Sequence, residues 1–289
     1  MAIWNLGSIN IDHVYHLETL PRPGETLASR GYSVGLGGKG ANQSVAAARA
    51  GAVTHHLGAM GRADDWVLDR LSDSGVDVSG ILRLEDQATG HAIILLDREA
   101  ENAIVIHPGA NRAIDRISLL DRLMALGPKD SLLIQNETNA QVVAAQAARA
   151  QGACVIYSAA PFDLEAVRAI LPHVSVLAMN EGEAQQLFAG VPGALPVQGL
   201  LITRGAQGAE YRDLTTGQTY EQLAFPVTPV DTTGAGDTFA GYFAAALDGG
   251  DDIPAALRLA AAAAALKVTR AGAGDAIPTR AEVEDFLAR

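Results

Sequence analysis

A glycine-rich turn that ends in an aspartate, residues 231–237, carries the residue types best suited to chemistry in this chain. Gly234, Ala235 and Gly236 leave three successive backbone N–H groups uncovered, directly before an apolar, helix-forming run. Such a helix N-terminus attracts anions, because its first amides lack partners and the helix dipole is positive there. Asp237 would repel a phosphate that merely binds, but it could take the proton from a hydroxyl that attacks the phosphate. The turn indicates phosphoryl transfer to an alcohol, although an ordinary helix start with an acidic first turn has the same pattern.

A second glycine-rich block, residues 35–42, formally contains the dinucleotide-binding pattern G-x-G-x-x-G. That pattern requires an acidic residue at the end of the following strand, and the strand predicted at 54–60 ends without one. A P-loop is not matched either, because Lys39 is followed by a glycine instead of Ser or Thr. We interpret the block as a tight backbone turn against a small polar ligand, with Lys39 and Asn42 reaching sugar hydroxyls. The alternative is a flexible loop in which Asn42 caps the next helix.

Polar side chains follow two predicted strands, at the ends where ligands gather in α/β sheets. Asn10 and Asp12 come shortly after the first strand, and Glu137 follows the strand at 131–135. A carboxylate can accept hydrogen bonds from two neighbouring hydroxyls, which is the usual chemistry of sugar recognition. Asn10 and Asp12 are therefore candidates for a sugar site, while a polar turn around Asp12 is the alternative.

Two further segments could serve a nucleotide. Asn180 and Glu183 open a predicted helix and could hold Mg²⁺ through water, as hard oxygen ligands do. The alternative for Asn180 is a plain helix cap followed by a favourable first-turn acid. A glycine turn between two strands could pass backbone amides along the phosphates of ATP, or could be a simple turn; it consists of Thr203, Arg204, Gly205, Ala206, Gln207 and Gly208.

Strand-like and helix-like runs alternate along most of the chain, which predicts an α/β fold with a mostly parallel central sheet flanked by helices. The predicted strands are 2–6, 54–60, 131–135, 154–157, 174–179 and 200–203. The predicted helices are 42–50, 65–74, 139–151, 181–188, 238–247, 253–269 and 280–288. Thr279 and Glu282 give the last of these helices a capping-box start.

Two segments, 27–36 and 81–106, are rich in strand signals without a helical period between them. Within the second, 89–96 and 102–106 predict a hairpin joined by 97–101. We interpret residues 1–289 as a single domain with a small β-sheet lid contributed by about residues 10–38 and 81–108.

Composition limits the classes of partner. The formal net charge of −12 argues against nucleic-acid binding, which needs a basic face. No apolar run is long enough to cross a bilayer, so we expect no membrane association. The lone cysteine, Cys154, excludes an intramolecular disulfide and favours the cytoplasm.

Together these segments resemble the PfkB-type carbohydrate kinases, and within them the ribokinase group. The blocks at 7–12, 37–42, 180–183 and 231–237 occur in that family's order, and the similarity extends over essentially the whole chain. The resemblance implies a three-layer sandwich of a mostly parallel sheet between helices. It also implies a β-sheet lid that closes over the sugar and often joins two copies in a homodimer.

The resemblance assigns a role to each candidate. Asp237 would be the base, with the anion hole formed by Gly234, Ala235 and Gly236. Sugar would be bound by Asn10, Asp12, Gly38, Lys39, Asn42, Glu137 and Asp237. Asn180 and Glu183 would organise Mg²⁺ and phosphates, and residues 203–208 with Gly236 would line the ATP. A monovalent-cation site, with K⁺ as activator, would be formed by Asp231, Thr233 and the backbone of Val268, Ala271 and Ala273. Ala276 falls where a serine often completes that site.

The activity implied is ATP-dependent phosphorylation of the primary hydroxyl of a free sugar, D-ribose above others. Fructose, 2-deoxyribose, adenosine and pseudouridine are alternative acceptors within the same family. From other classes, a non-catalytic sugar-binding regulator would be marked by loss of the base or anion hole, and neither is lost. A dinucleotide-dependent oxidoreductase is the remaining alternative.

Overall fold

The alternation of strands and helices forms one large sheet with helices on both of its faces. The computed structural model describes residues 1–99 and 101–289. Within these residues the large sheet contains β1 (Ile3–Leu6), β4 (Thr54–Gly61), β5 (Val76–Asp77), β6 (Ile81–Leu84), β9 (Ser131–Gln135), β10 (Cys154–Ser158), β11 (Val176–Asn180), β12 (Gly199–Thr203), β13 (Ala209–Asp213) and β14 (Thr219–Gln222). The strand order is β14-β13-β12-β11-β10-β9-β1-β4-β5, with β6 also beside β4. All pairings are parallel except β12–β13 and β13–β14, which makes the sheet mostly parallel as predicted.

The helices of the described residues are α1 (Lys39–Arg49), α2 (Asp65–Asp73), α3 (Arg116–Leu123), α4 (Gln141–Ala150), α5 (Leu164–Ile170), α6 (Glu181–Gly190), α7 (Ala235–Asp248), α8 (Ile253–Val268) and α9 (Arg280–Leu287). They pack into two apolar cores. One core joins α1, α2, α7, α8 and α9 to side chains such as Ile3 and Leu133. The other joins α3–α6 to side chains such as Leu6 and Leu132. Burial on both faces explains why the central strands read as continuous apolar runs. No helix in the described ranges is long and apolar enough to span a membrane.

Close packing of α1 against α7 brings the N-terminal turns of the two helices together. A Cβ placed on Gly241 of α7 would lie 2.5 Å from the Cβ of Ala46 and 2.6 Å from the carbonyl oxygen of Gln43 on α1. Glycine at this position lets the two helix backbones approach closely. The first turn of α1 therefore lies beside the first turn of α7.

A second sheet of four strands, β3-β2-β7-β8, corresponds to the predicted lid segments. Its strands are β2 (Asn10–His16), β3 (Gly31–Gly37), β7 (Gly90–Leu96) and β8 (Asn102–His107). The hairpin of β7 and β8 is confirmed; Ala100 in its connection lies outside the described residues. The prediction was wrong to include Ile81–Leu84 in this sheet. That strand pairs with β4, because Ile81 is buried in the main apolar core.

The start of α1 depends on contact between two glycines. A Cβ on Gly40 would lie 2.3 Å from both the Cα of Gly7 and the backbone nitrogen of Ser8. We expect Gly40→Ala to lower the free energy of unfolding by about 1–3 kcal/mol through overpacking, against a helix-propensity gain of about 1 kcal/mol. Urea denaturation measures this loss. Gly35→Ala is the matched control, since its Cβ would meet nothing within 4 Å; an equal loss in both variants would contradict the explanation.

Candidate active site

The first turn of α7 holds the aspartate of the glycine-rich turn. Gly234 adopts a left-handed conformation, with φ 72° and ψ 7°, which favours glycine, and α7 begins at Ala235. Asp237 is buried, at 8% exposure. The N–H of Ala235 donates to the carbonyl of Thr232 at 3.2 Å. Contrary to the prediction, this N–H is therefore not available to an anion. Among the described residues the N–H groups of Gly236 and Asp237 have no acceptor, so these two amides at the helix N-terminus are available to an anion.

The carboxylate of Asp237 is fixed by two amide side chains from the first turn of α1. Asn42 donates its Nδ2–H to Oδ2 at 3.1 Å, and Gln43 donates its Nε2–H to Oδ1 at 3.1 Å. Asn42 therefore lies inside the helix and does not cap it. Gln43 was not identified from the sequence. The only sequence feature that could have pointed to Gln43 is its position next to Asn42 at a glycine-rich helix start. No motif distinguishes it from a surface glutamine.

Gln43 connects Asp237 to a chain of buried polar groups beneath the site. Gln135 donates to Gln43 at 2.7 Å and to Asn5 at 2.8 Å. Asn5 donates to Ser44 at 2.8 Å, and Ser44 is hydrogen-bonded to His56 at 2.8 Å. Burial lowers the pKa of His56 to about 4, so its ring is neutral at physiological pH. Leaving buried polar groups of this kind unpaired is costly in free energy. This series of hydrogen bonds therefore holds Gln43, and through it Asp237, in one orientation.

Asn10 and Asp12 lie on β2 of the four-stranded sheet, on a strand and not in a turn. The Oδ1 of Asn10 accepts a hydrogen bond from the buried Asn111 at 2.8 Å, and Asn111 also pairs with the backbone of Ile9. A Cβ on Gly37 would lie 2.1 Å from Oδ2 of Asp12, so only a glycine there leaves room for this carboxylate. Burial, and then the neighbouring charge of Glu137, raise the pKa of Asp12 to about 6.

Lys39 and Glu137 meet at the N-terminus of α1. Glu137 accepts a hydrogen bond from the backbone N–H of Lys39 at 3.1 Å and another from the hydroxyl of Ser8. The carboxylate of Asp237 raises the pKa of Lys39 most, burial opposes this, and Glu137 and Glu183 raise it further. The Lys39 ammonium therefore lies within the field of three carboxylates. The preceding Gly38 has a φ of +92°, and a Cβ there would lie 2.9 Å from the backbone nitrogen of Asn10.

A cavity of about 170 Å³ brings the two glycine-rich blocks together. Its lining includes Lys39, Asn180, Glu183, Thr203, Thr232, Gly234, Ala235, Gly236 and Asp237. Of the predicted nucleotide turn at 203–208, only Thr203 is among the lining residues. Arg204 instead forms an ion pair with the buried Glu210.

Asn180 and Glu183 form a capping box at the start of α6. Asn180 accepts the Glu183 N–H at 2.9 Å, and Glu183 accepts the Asn180 N–H at 2.8 Å. The helix-cap alternative for Asn180 is thus observed. Burial raises the pKa of Glu183, with the backbone of Asn180 and the charge of Lys39 opposing it. No group of three His, Cys, Asp or Glu within 1–99 and 101–289 is arranged to hold a metal ion. Glu183 also lines the cavity that contains Lys39, Gly236 and Asp237, and a carboxylate is the kind of group that would hold Mg²⁺ through water.

The predicted ligands of a monovalent cation are largely hydrogen-bonded to one another. The carboxylate of Asp231 accepts the Thr233 N–H at 2.8 Å and the Gly272 N–H at 2.9 Å. The Val268 carbonyl accepts two backbone N–H groups, at 2.7 and 3.1 Å. Partial burial opposes ionisation of Asp231, but the hydrogen bonds from Thr233 leave its pKa below the ordinary value. Ala276, at the expected serine position, supplies no side-chain oxygen. These residues do not fit a bound cation.

Comparison with known proteins gives one consistent result. Residues 3–280 match the family model described as pfkB family carbohydrate kinase. The ribokinase of Bacillus subtilis (strain 168) is 38% identical over 294 residues, covering 98% of each chain. The structure of ribokinase from Thermotoga maritima aligns with a TM-score of 0.89 at 32% identity, covering 100% of each chain. The structure of Arabidopsis thaliana ribokinase complexed with ribose and ATP aligns with a TM-score of 0.88 at 28% identity, also covering 100% of each chain.

Proposed function

Because the chain belongs to the pfkB family of carbohydrate kinases, we propose that this kinase transfers the γ-phosphoryl group of ATP to the primary hydroxyl of D-ribose. One observation carries the proposal. The Asp237 carboxylate is held by Asn42 and Gln43 beside the unpaired N–H groups that open α7. A positioned base next to an anion-binding helix terminus is the arrangement that phosphoryl transfer to an alcohol needs.

In the proposed reaction Asp237 accepts the proton of the primary hydroxyl. The hydroxyl oxygen forms a bond to the γ-phosphorus as the bond to ADP breaks, and the product is ribose 5-phosphate. Negative charge on the transferred group is met by the N–H groups of Gly236 and Asp237 and by the Lys39 ammonium. Mg²⁺, held through water by Glu183 and through the phosphates, would supply charge neutralisation on the nucleotide.

Sugar binding is assigned to the residues from β2, the start of α1 and the end of β9. The carboxylates of Asp12 and Glu137 accept hydrogen bonds from vicinal hydroxyls, while Asn10, Lys39 and Asn42 offer donors. The four-stranded sheet then acts as a lid that excludes water, so that ATP hydrolysis without sugar is slow. The proposal includes a single domain with such a lid and a cytoplasmic location.

The pKa of Asp12 sets the pH dependence of sugar affinity. With a pKa of about 6, this carboxylate is charged well above pH 6 and protonated well below it. A protonated carboxyl is a weaker acceptor, so we expect the KM for ribose to rise as pH falls through about 6. Initial rates at several pH values measure this. A KM that stays flat through this range would contradict the assignment of Asp12 to sugar binding.

The substrate is tested by ADP release from Mg-ATP with ribose, 2-deoxyribose, fructose, adenosine and pseudouridine. Selective turnover of ribose supports the proposal. Turnover of another acceptor keeps the mechanism and reassigns the substrate. No turnover with any of them, in a folded protein that binds ATP, favours the sugar-binding regulator.

We also propose that two copies associate through the four-stranded sheet. The strand register places Val34, Ile93 and Val105 in one row across this sheet, on the face that Tyr32 shares, and these four side chains are 39–66% exposed. A contiguous exposed apolar surface of this kind marks an interaction site. Light scattering should show a dimer that Val105→Asp converts to monomer, whereas Val53→Asp, exposed outside this sheet, should leave it intact. A monomeric wild-type protein would overturn the assignment.

A further inference from the structure

Lys267 places a positive charge beneath the loop that leads to the anion-binding end of α7. It lies in the last turn of α8, yet its exposure is 0%. A lysine at a helix end ordinarily extends its charged head into water. Burying an ammonium has a large desolvation cost unless partners compensate for it. The side chain must therefore be retained by contacts that use its charge.

In the described part of the chain, the side-chain hydrogen bond of Lys267 and its attraction to an opposite charge both involve one loop residue, Asp231. Its Nζ donates to the backbone carbonyl of Asp231 at 2.9 Å. Burial lowers the pKa of Lys267, and the nearby charge of the Asp231 carboxylate opposes this effect. That carboxylate in turn accepts the N–H groups of Thr233 and Gly272. The Lys267 ammonium and the Asp231 carboxylate thus fasten the loop at 231–236 to the segment that follows α8. That loop sets the position of the Gly236 and Asp237 amides.

A monovalent cation at the predicted site would have to share Asp231 with Lys267. A cation held by the Asp231 carboxylate would lie next to the Lys267 ammonium and would be repelled by it. Both oxygens of the Asp231 carboxylate and the carbonyls of Val268 and Ala273 already accept N–H groups, and Ala276 adds no side-chain oxygen. The charge and the hydrogen bonds that a cation would bring are therefore present in the chain itself.

We propose that the ammonium of Lys267 takes the place of an activating monovalent cation, so that this kinase works without K⁺. Lys267 is a positioning residue, because it acts through the loop at 231–236 and does not touch substrate. The inference rests on the proposed kinase activity, but it also has a consequence for cation binding that is independent of activity.

The wild-type protein gives the first test. Ribose phosphorylation is measured with Mg-ATP in KCl, NaCl and choline chloride of equal ionic strength. We expect kcat to agree within about two-fold among the three salts, since no step needs the cation. Activation by K⁺ of about five-fold or more over choline would overturn the proposal.

Two substitutions separate charge from packing. Lys267→Met removes the charge but fills the space, and should lower kcat about ten-fold in every salt. Lys267→Ala leaves a space, and its kcat should be low in choline and recover in KCl or NH₄Cl. Lys129→Met, at an exposed lysine, is the matched control and should keep wild-type kcat. Wild-type kcat in a folded Lys267→Met protein would overturn the proposal.

Thermal unfolding supplies a readout that does not depend on turnover. KCl in place of choline chloride should raise the Tm of Lys267→Ala and leave that of the wild-type protein unchanged. A K⁺-dependent rise in the wild-type Tm would overturn the inference even if Lys267→Ala failed to fold. Absence of turnover with every sugar would instead count against the proposed function and leave the Tm comparison decisive for Lys267.

Discussion

Asp237→Asn should lower kcat for ribose by about 10²- to 10⁴-fold, the range that a positioned general base contributes. Asparagine preserves the shape of the side chain but cannot accept the proton of the attacking hydroxyl. It also presents an NH₂ group to either Asn42 or Gln43, both of which donate to Asp237 in this structure. The KM for ribose and the binding of ATP should change much less, because the other residues assigned to those ligands, such as Asp12 and Glu137, are untouched. Steady-state kinetics and a calorimetric titration with ATP measure both quantities.

Asp248→Asn is the matched control for this substitution. Asp248 lies at the other end of α7, is 9% exposed and has one carboxylate oxygen without a partner in the described part of the chain. The same chemical change on the same helix should leave kcat near the wild-type value. Near-normal turnover in Asp237→Asn would remove this residue as the base, and an equal loss in Asp248→Asn would indicate damage to the helix.

Asp12→Asn should raise the KM for ribose by about 10- to 100-fold, which corresponds to losing a charge-assisted hydrogen bond of about 1.5–3 kcal/mol. The same substitution should increase stability at neutral pH. The pKa of Asp12 in the folded protein, about 6, exceeds its ordinary value of 3.8. The folded state therefore binds this proton more tightly than the unfolded chain, and ionisation of Asp12 lowers the free energy of unfolding as pH rises from about 4 to 6. Removing the charge removes that penalty.

Urea denaturation at pH values on either side of 6 checks the stability half of this prediction. The gain from Asp12→Asn should be present above pH 6 and disappear towards pH 4, where the wild-type carboxyl is also neutral. Glu18→Gln is the control, because Glu18 is exposed and its ion pairs with Arg30 and Arg98 lie on the surface. If Asp12→Asn weakens sugar binding but does not raise the free energy of unfolding, then burial of the charged Asp12 carboxylate does not destabilise the sugar-free protein.

Much of the fold follows from the periodicity of the sequence. The strand at Ser131–Gln135 was predicted to the residue, and the capping box of Thr279 and Glu282 is confirmed. Four helix starts, at Asp65, Glu181, Ile253 and Arg280, were also predicted to the residue, but the starts in the glycine-rich segments were not. Helix α1 begins at Lys39 instead of Asn42, and α7 begins at Ala235 instead of Thr238. In both cases glycine-rich segments read as loops, and contacts such as that between Gly7 and Gly40, distant in sequence, make them helical.

The sequence identified several residues of the candidate site, but it did not reveal most of the hydrogen bonds between them. The sequence singled out Asp237 and Asn42, and the structure joins them by a hydrogen bond. It could not reveal Gln43, whose role depends on how closely α1 packs on α7. Nor could the sequence show that Asn180 and Glu183 hydrogen-bond to each other in a capping box, because a helix cap and a metal ligand require the same residue types. Lys267 carries no motif at all, and only its complete burial distinguishes it from a solvated lysine.

The separation of Asn10 and Asp12 on β2 from Asp237 on α7 has a consequence for how this protein can evolve. Under the proposed assignment, the part of the sugar site on β2 is encoded in a different stretch of the gene from the proposed base. Mutations in the small sheet can be sampled by selection without exposing the reactive machinery to loss. A library randomised over the inward positions of that sheet is therefore a rational starting point for directing the enzyme towards other alcohols.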